Sequence, residues 1–162
     1  MTAALRRARA CGATTVLNAA PFDAAIGPLL PLVDVLVVNE VEGADLLGWA
    51  RVTAENARQA VGALLARGPS AVALTLGSQG ALVGRGDERQ HFPALPVAVV
   101  DTTAAGDAFT GALAAGLADG RDLFAAARRA VIVGSLAVTQ AGAQLSLPHL
   151  AAVQAAENAP DA

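Results

Sequence analysis

The sequence predicts an α/β fold with a doubly wound, mostly parallel sheet in a three-layer αβα arrangement. Three observations predict it. The runs 14–17, 33–38 and 71–76 are apolar without alternation, the pattern of strands buried on both faces. Segments of helical composition separate these runs, as crossover helices do between parallel strands. Each run also ends on residues suited to a ligand, namely Asn18, Asn39 and a glycine-rich turn from Gly77 to Gly80. An open α/β sheet binds ligands at its strand C-terminal ends.

In chain order, residues 3–11 have helical composition and stop at Gly12, a C-cap position. Cys11 there reads as a small core residue. Residues 14–17 form the first strand, closing on Asn18. The stretch with Pro21, Gly27, Pro28 and Pro31 reads as a loop holding at most one helical turn. Residues 33–38 are the second strand, and 40–47 a helix whose early acids, Glu40 and Glu42, suit its dipole. The next helix begins at Thr53, buries Ala57, Ala60, Val61, Leu64 and Leu65, and ends at Gly68-Pro69. Residues 71–76 are the third strand. A tight turn leads into residues 81–84, and Gly86-Asp87 turns the chain again into residues 89–92. An apolar strand at 97–100 leads to helices over 106–118 and 122–139. A last helix starts near Pro148, and the tail 158–162 frays. Gly111 and Gly116 cost helix propensity, which predicts close approach of their helix to the sheet or to its neighbour.

Length and composition set the broad class. A chain of 162 residues, 54% apolar and 15% charged, builds the core of one ordinary domain. With four Phe, one Trp and no Tyr, its helices must pack through alanine and other small side chains. Net charge is −3 and all eleven cations are Arg. The pairs Arg6-Arg7 and Arg128-Arg129 read as solvated helix faces, so no nucleic-acid partner is expected. A lone Cys11 supplies neither a disulfide framework nor a cysteine metal cluster. The opening is too polar for a signal peptide and no apolar run reaches membrane-spanning length. No membrane partner and a cytoplasmic location are therefore expected.

The most informative segment is Asp101, Thr102, Thr103, Ala104, Ala105, Gly106 and Asp107, followed at once by an apolar, helix-forming run. A strand, a turn of small residues and a helix N-terminus offer unpaired N–H groups and the positive end of a dipole. Together they make a cradle suited to phosphate. A carboxylate at its mouth repels phosphate, unless its task is to take a proton from an attacking hydroxyl. Base and cradle together predict phosphoryl transfer. The alternative reading keeps Asp107 as a plain cap or dipole partner.

Three further segments carry similar pairs of readings. Asn39, Glu40, Val41 and Glu42 stand at a strand-to-helix junction, where an amide followed by two acids is also ordinary capping. The glycines of Thr75, Leu76, Gly77, Ser78, Gln79 and Gly80 let backbone approach a base or phosphate, or simply close a hairpin. Gly142, Ala143, Gln144, Leu145 and Ser146 form a polar turn before Pro148.

Taken together these segments resemble the ribokinase family of sugar and nucleoside kinases, also called the PfkB family. Residues 101–107 resemble its D-T-x-G/A-A-G-D signature, and residues 39–42 its N-x-x-E motif. Residues 75–80 are similar to its T-x-G-x-x-G loop and 142–146 to its G-A-Q-x-S segment. Residues 18–21 also look like the family's segment after the corresponding strand. The resemblance implies a ribokinase-like fold, ATP as co-substrate, and magnesium and potassium as cofactors. It implies Asp107 as the catalytic base that meets the substrate hydroxyl, with amides of Ala104, Ala105 and Gly106 as the anion hole. Asn39 would contact the ATP phosphates. Thr75, Leu76, Gly77, Ser78, Gln79 and Gly80, with Gly106 and Asp107, would complete the nucleotide site. Glu42 would act on magnesium, largely through water, and Glu40 would not. Oxygens of Asp101, Thr103, Ala137, Gln140, Gly142 and Ser146, several of them backbone carbonyls, would hold potassium. Two departures stand out. Val131 occupies a place where familiar members carry Asn beside the nucleotide. The resemblance also covers nearly all of this chain but only the family's C-terminal half, without the opening G-G region, the sugar-binding residues or the small β-sheet lid.

The expected function is an ATP-dependent carbohydrate kinase of the ribokinase type, acting on a sugar primary hydroxyl with D-ribose O5 leading. Residues 1–162 are expected to be a single partial domain, inactive alone, completed by an N-terminal half or a homo-oligomer. Two rivals remain: a non-catalytic nucleotide-binding module or remnant, and another kinase of the family acting on a nucleoside or fructose.

Overall fold

A computed structural model describes residues 1–159, and the chain forms two compact units, Met1–His91 and the part from Phe92 onward. The first unit holds helix α1 (Thr2–Ala10), strand β1 (Val16–Asn18), a 3-10 helix (Ala24–Leu32) and strand β2 (Val35–Val38). Helices α2 (Glu40–Leu47) and α3 (Ala57–Leu65) lead to strand β3 (Ala71–Thr75). A short 3-10 turn (Gly77–Gln79) then joins β3 to β4 (Ala81–Arg85), and β5 (Glu88–Phe92) follows. The five strands lie in the order β1-β2-β3-β4-β5. β1, β2 and β3 are parallel, and β4 is antiparallel to β3. The break in direction follows from connection length: α2 and α3 give room for a crossover, whereas Leu76–Gly80 permits only a hairpin. The α/β class is as the sequence predicts.

Both faces of the central strands are buried, which is why their sequences do not alternate. Leu36, Val38, Val72 and Leu74 join Leu30, Val61 and Leu64 in one core. Their strand neighbours Val35, Val37, Ala71 and Ala73 are buried as well. Helix α3 approaches β4 closely at Gly84, where a Cβ would stand 2.5 Å from Val61 Cγ1.

Several boundaries differ from expectation, each for a local reason. β1 and β2 begin at Val16 and Val35 because Thr15 and Asp34 bond through side chains first. The Thr15 amide and hydroxyl both donate to Asp34 Oδ2 at 2.7 Å. The proline-rich stretch is not a loop with one helical turn but a nine-residue 3-10 helix. Pro28 and Pro31 fit inside it because their fixed φ is that of a 3-10 helix, and Ile26, Leu29 and Leu30 bury its inner face. Helix α3 starts at Ala57, not Thr53, because the Thr53 amide donates to Asn56 Oδ1 at 2.8 Å and turns the chain first. Cys11 is exposed rather than a core residue, because it caps α1 beyond Leu5, the helix's one buried side chain.

The second unit holds α4 (Ala105–Ala118), α5 (Leu123–Ala137) and α6 (Leu150–Glu157), with α4 and α6 each packed on α5. α5 falls short of the expected 122–139 at both ends, and α6 starts beyond Pro148. At Gly116 a Cβ would stand 2.9 Å from Ala126 Cβ, so α4 and α5 do approach closely there. At Gly111 nothing lies within 4 Å, and the expected close approach is absent. Residues 97–100 do not form a strand. Their run is tied to α5 instead: the Leu95 amide donates to Ser135 Oγ at 3.1 Å, and the Val100 and Asp101 amides donate to the Val138 carbonyl at 2.8 and 3.2 Å. Arg129 leaves the solvated face assigned to it and pairs with Glu157 of α6 at 2.7 Å. Of the tail expected to fray, residues 160–162 lie outside the described residues.

Candidate functional site

In the first unit the C-terminal ends of β2 and β3 carry two of the predicted segments side by side. Val38 is in register with Leu74, and the Thr75 hydroxyl donates to the Val38 carbonyl at 3.4 Å. Asn39 therefore leaves the sheet beside the loop that starts at Thr75. Its backbone is extended, and its Oδ1 accepts from the Val41 and Glu42 amides, both at 2.9 Å. Glu42 reaches back, accepting the Asn39 amide on Oε2 at 2.8 Å. This is a reciprocal capping box, so the capping reading is realised. Capping does not exhaust either side chain. With Oδ1 turned to the helix, Asn39 keeps its Nδ2 donor, and Glu42, 8% exposed, keeps Oε1.

The loop from Thr75 to Gly80 closes on itself. The Leu76 amide donates to the Gly80 carbonyl at 2.8 Å, and the Gln79 amide to Leu76 at 3.0 Å. The Gly80 amide donates to Gly77 at 3.1 Å. Gly77 and Gly80 have φ of 54° and 88°, conformations that exclude most side chains. The tight turn is thus a short 3-10 helix, with Gly77, Ser78 and Gln79 exposed.

In the second unit, Ala104 is the N-cap of α4 and sits in the left-handed region at φ 66°, ψ 2°. It is the only described non-glycine residue there. The Ala105 amide is partly committed, donating to Thr102 at 3.3 Å. Among the described residues no acceptor is recorded for the amides of Ala104, Gly106 and Asp107. The predicted hole therefore keeps Ala104 and Gly106 as open donors, with Ala105 shared. Asp107 is exposed in the first turn of α4, and among the described residues its carboxylate takes no hydrogen bond. The capping acids of this protein behave otherwise: Glu42, Asp23 and Asp122 each accept a backbone N–H at their helix N-terminus. The cap reading is thus realised at residues 39 and 42 and not at Asp107.

Asp101 ties the start of the same turn to the segment after α5. Its Oδ1 accepts the Thr103 amide and its Oδ2 the Gly142 amide, each at 2.9 Å. The Thr103 hydroxyl, then the amides of Gly142 and Thr103, hold the Asp101 carboxyl at about 2, below its ordinary 3.8. Ser146 is buried and its hydroxyl donates to the Ala143 carbonyl at 2.9 Å. Of the six residues read as a potassium site, direct bonds join Asp101, Thr103 and Gly142. Ala137 ends α5, Gln140 is exposed in the following turn, and neither is bonded to the other four. Val131 is buried in α5, its side chain spent on the core.

Two contacts had no sequence signal. The Thr110 hydroxyl donates to the Gly106 carbonyl at 2.8 Å, a back-bond only helix register reveals. His91 on β5 places Nε2 2.7 Å from the Gln79 carbonyl, a contact that depends on how β4 and β5 pair. An open cleft of about 730 Å³ beside β1, lined by Leu17, Asn18, Pro21, Phe22 and Ile26 among others, contains none of the predicted site residues except those of the segment after β1. Among the described residues no group of three His, Cys, Asp or Glu side chains is placed to hold a metal ion, and no helix is long and apolar enough to cross a membrane.

Comparison with known proteins places the chain in a family. The sequence model of pfkB family carbohydrate kinases matches residues 1–150. A ribokinase of Staphylococcus aureus is 41% identical over 148 residues, covering 88% of this chain and 47% of that protein. The Arabidopsis thaliana ribokinase solved with ribose and ATP superposes with a TM-score of 0.88 at 31% identity, covering 96% of this chain and 51% of that one. A putative ribokinase II from E. coli, solved with ATP and magnesium, gives a TM-score of 0.79 at 28% identity over 94% of this chain and 51% of that one. The chain thus spans about half the length of the relatives it matches.

Proposed function

This chain belongs to the pfkB family of carbohydrate kinases, and from that premise we propose that it carries the phosphoryl-transfer end of an ATP-dependent kinase of the ribokinase type. The observation that carries the reading is the state of Asp107: an exposed carboxylate without a capping bond, at a helix N-terminus where the amides of Ala104, Gly106 and Asp107 itself have no acceptor among the described residues. Asp107 takes the proton of a sugar primary hydroxyl as that oxygen bonds to the γ-phosphorus of ATP. The bond from that phosphorus to the bridging oxygen breaks, ADP leaves, and the proton stays on Asp107. Open amides of Ala104 and Gly106 stabilise the charge on the transferring group. Such fixed donors and positioning supply most of the catalysis in phosphoryl transfer. Asn39 gives its Nδ2 to a phosphate oxygen, and the loop from Thr75 to Gly80 seats the nucleotide.

The donor set fits the two metal ions. Glu42 Oε1 with phosphate oxygens and water is a set suited to magnesium, which neutralises phosphate charge when bound. Asp101, held ionised, with Thr103, Ser146 and the carbonyls of Ala137, Gln140 and Gly142, is an oxygen set suited to potassium. Its role would be to order the turn below Ala104. ATP use suits a cytoplasmic location.

D-ribose is the leading acceptor, with nucleosides and fructose as alternatives. The chain's length, about half that of its relatives, favours a second reading, a nucleotide-binding module without turnover of its own. A coupled ADP-release assay separates them, run on the chain alone and joined to the part of a ribokinase relative that it does not match. Kinase function predicts a trace from the chain alone and ribose-dependent release from the joined protein, at about 1 s⁻¹ or more. Nucleotide binding with no turnover in either form favours the module. Robust ribose-dependent turnover by the chain alone would overturn the expected dependence on a completing half, supplied by a separate chain or a second copy.

A further inference from the structure

The geometry points to His91 as a positioning residue for the nucleotide loop, an assignment that rests on the reading of residues 75–80 above. The loop's own hydrogen bonds run between Leu76 and Gly80 and fix its curvature, not its tilt relative to the sheet. Among the described residues, one hydrogen bond reaches Gly77–Gln79 from outside the β3–β4 turn, the 2.7 Å contact between His91 Nε2 and the Gln79 carbonyl. A carbonyl only accepts, so this bond needs the proton on Nε2. The bond acts on the Gln79–Gly80 peptide, whose amide end is already tied to Gly77 at 3.1 Å. Gly80 lies in a glycine-only conformation, φ 88° and ψ −128°. With both ends of that peptide held, the orientation of Ser78 and Gly77 follows. β5 thereby acts as a strut: it returns along the sheet and braces from outside a loop that glycines leave free to pivot.

His91 touches no reacting group, so its effect must travel through Gln79. The test uses the full chain and its His91→Ala, His91→Asn and His91→Gln variants. Gln places its amide nitrogen where His places Nε2, while Asn falls short. Two readouts are taken: hydrogen exchange at the amides of residues 77–80 without ligand, and the affinity for Mg-ATP by titration calorimetry. The expected result is faster exchange in His91→Ala and His91→Asn, a Mg-ATP affinity lower by roughly 3–10-fold, the effect of one exposed hydrogen bond, and restoration of both in His91→Gln. Thermal midpoints that stay together across the series would separate positioning from general stability. Unchanged exchange in His91→Ala, or a His91→Gln variant as impaired as His91→Ala, overturns the role of His91 itself. Faster exchange with unchanged Mg-ATP affinity overturns the link from this loop to nucleotide. A wild-type chain that is folded and binds no Mg-ATP overturns the nucleotide reading, and the positioning role with it, whatever the exchange shows.

Discussion

The Asp101 carboxylate accepts the Gly142 amide at 2.9 Å, closing a link between residues 41 apart in sequence. With the Thr103 hydroxyl and amide, this link holds the Asp101 carboxyl at about 2, against an ordinary 3.8. A depressed carboxyl pKa means that folding favours the ionised form. The stabilisation is complete above the ordinary value and is lost as pH falls through the folded one. Wild type should therefore exceed Asp101→Asn in urea midpoint near neutral pH, and the gap should close between 3.8 and about 2. A gap that does not change over that range would contradict the link.

Asn39 can be split into its two tasks. Asn and Asp cap a helix about equally well, so Asn39→Asp should change stability by no more than about 0.5 kcal/mol. The substitution also replaces the free Nδ2 donor with an oxygen that repels phosphate. A hydrogen bond to a charged group is worth about 1.5–3 kcal/mol, so Mg-ATP affinity should fall by at least about tenfold. Asn39→Ala should lose both, with about 1 kcal/mol of stability. Calorimetry beside urea unfolding reads the pair, and an Asn39→Asp protein with wild-type affinity would leave Asn39 a cap alone.

Ala104 holds a conformation that costs a residue with a Cβ about 1–2 kcal/mol. Glycine relieves that cost and returns part of it through chain entropy, about 0.5–1 kcal/mol. Ala104→Gly should therefore be neutral to about 1 kcal/mol more stable by urea unfolding. A clear loss of stability would mean that the Ala104 methyl makes contacts worth more than the strain.

Two glycines that look alike in the sequence should respond oppositely to alanine. Gly111→Ala meets open space and should gain about 0.5–1 kcal/mol from helix propensity. Gly116→Ala would press on Ala126 of α5, 2.9 Å away at Cβ and 3.2 Å at Cα, and should cost about 1–3 kcal/mol. Thermal unfolding of both variants checks the contrast.

That pair shows where sequence stops being informative. The alternation of apolar runs and helices, and the polar residues closing each strand, were legible because they are local and repeat over adjacent positions. Asn39, Glu42 and Asp107 were legible for the same reason, each standing at an element boundary. Which acid caps and which stays free was not legible, since Glu42 and Asp107 both sit in a helix first turn and only the fold shows where each carboxylate turns. Residues 97–100 have a strand's composition, yet the Val100 amide goes to Val138 and no ladder forms. Pro28 and Pro31 read as breakers, although their fixed φ suits the 3-10 helix they occupy. His91 could not be found at all, because its partner Gln79 is set by the register of a hairpin.

Asp107→Asn tests the central claim most directly. In the protein completed by the unmatched part of a ribokinase relative, ribose-dependent ADP release is compared between the parent and the Asp107→Asn variant, with Mg-ATP affinity measured beside it. An amide offers no proton affinity, so loss of a general base should lower turnover by roughly 10²–10⁴-fold while nucleotide binding is largely kept. Turnover within about threefold of the parent, well short of that range, would contradict the account and leave Asp107 a dipole partner of α4.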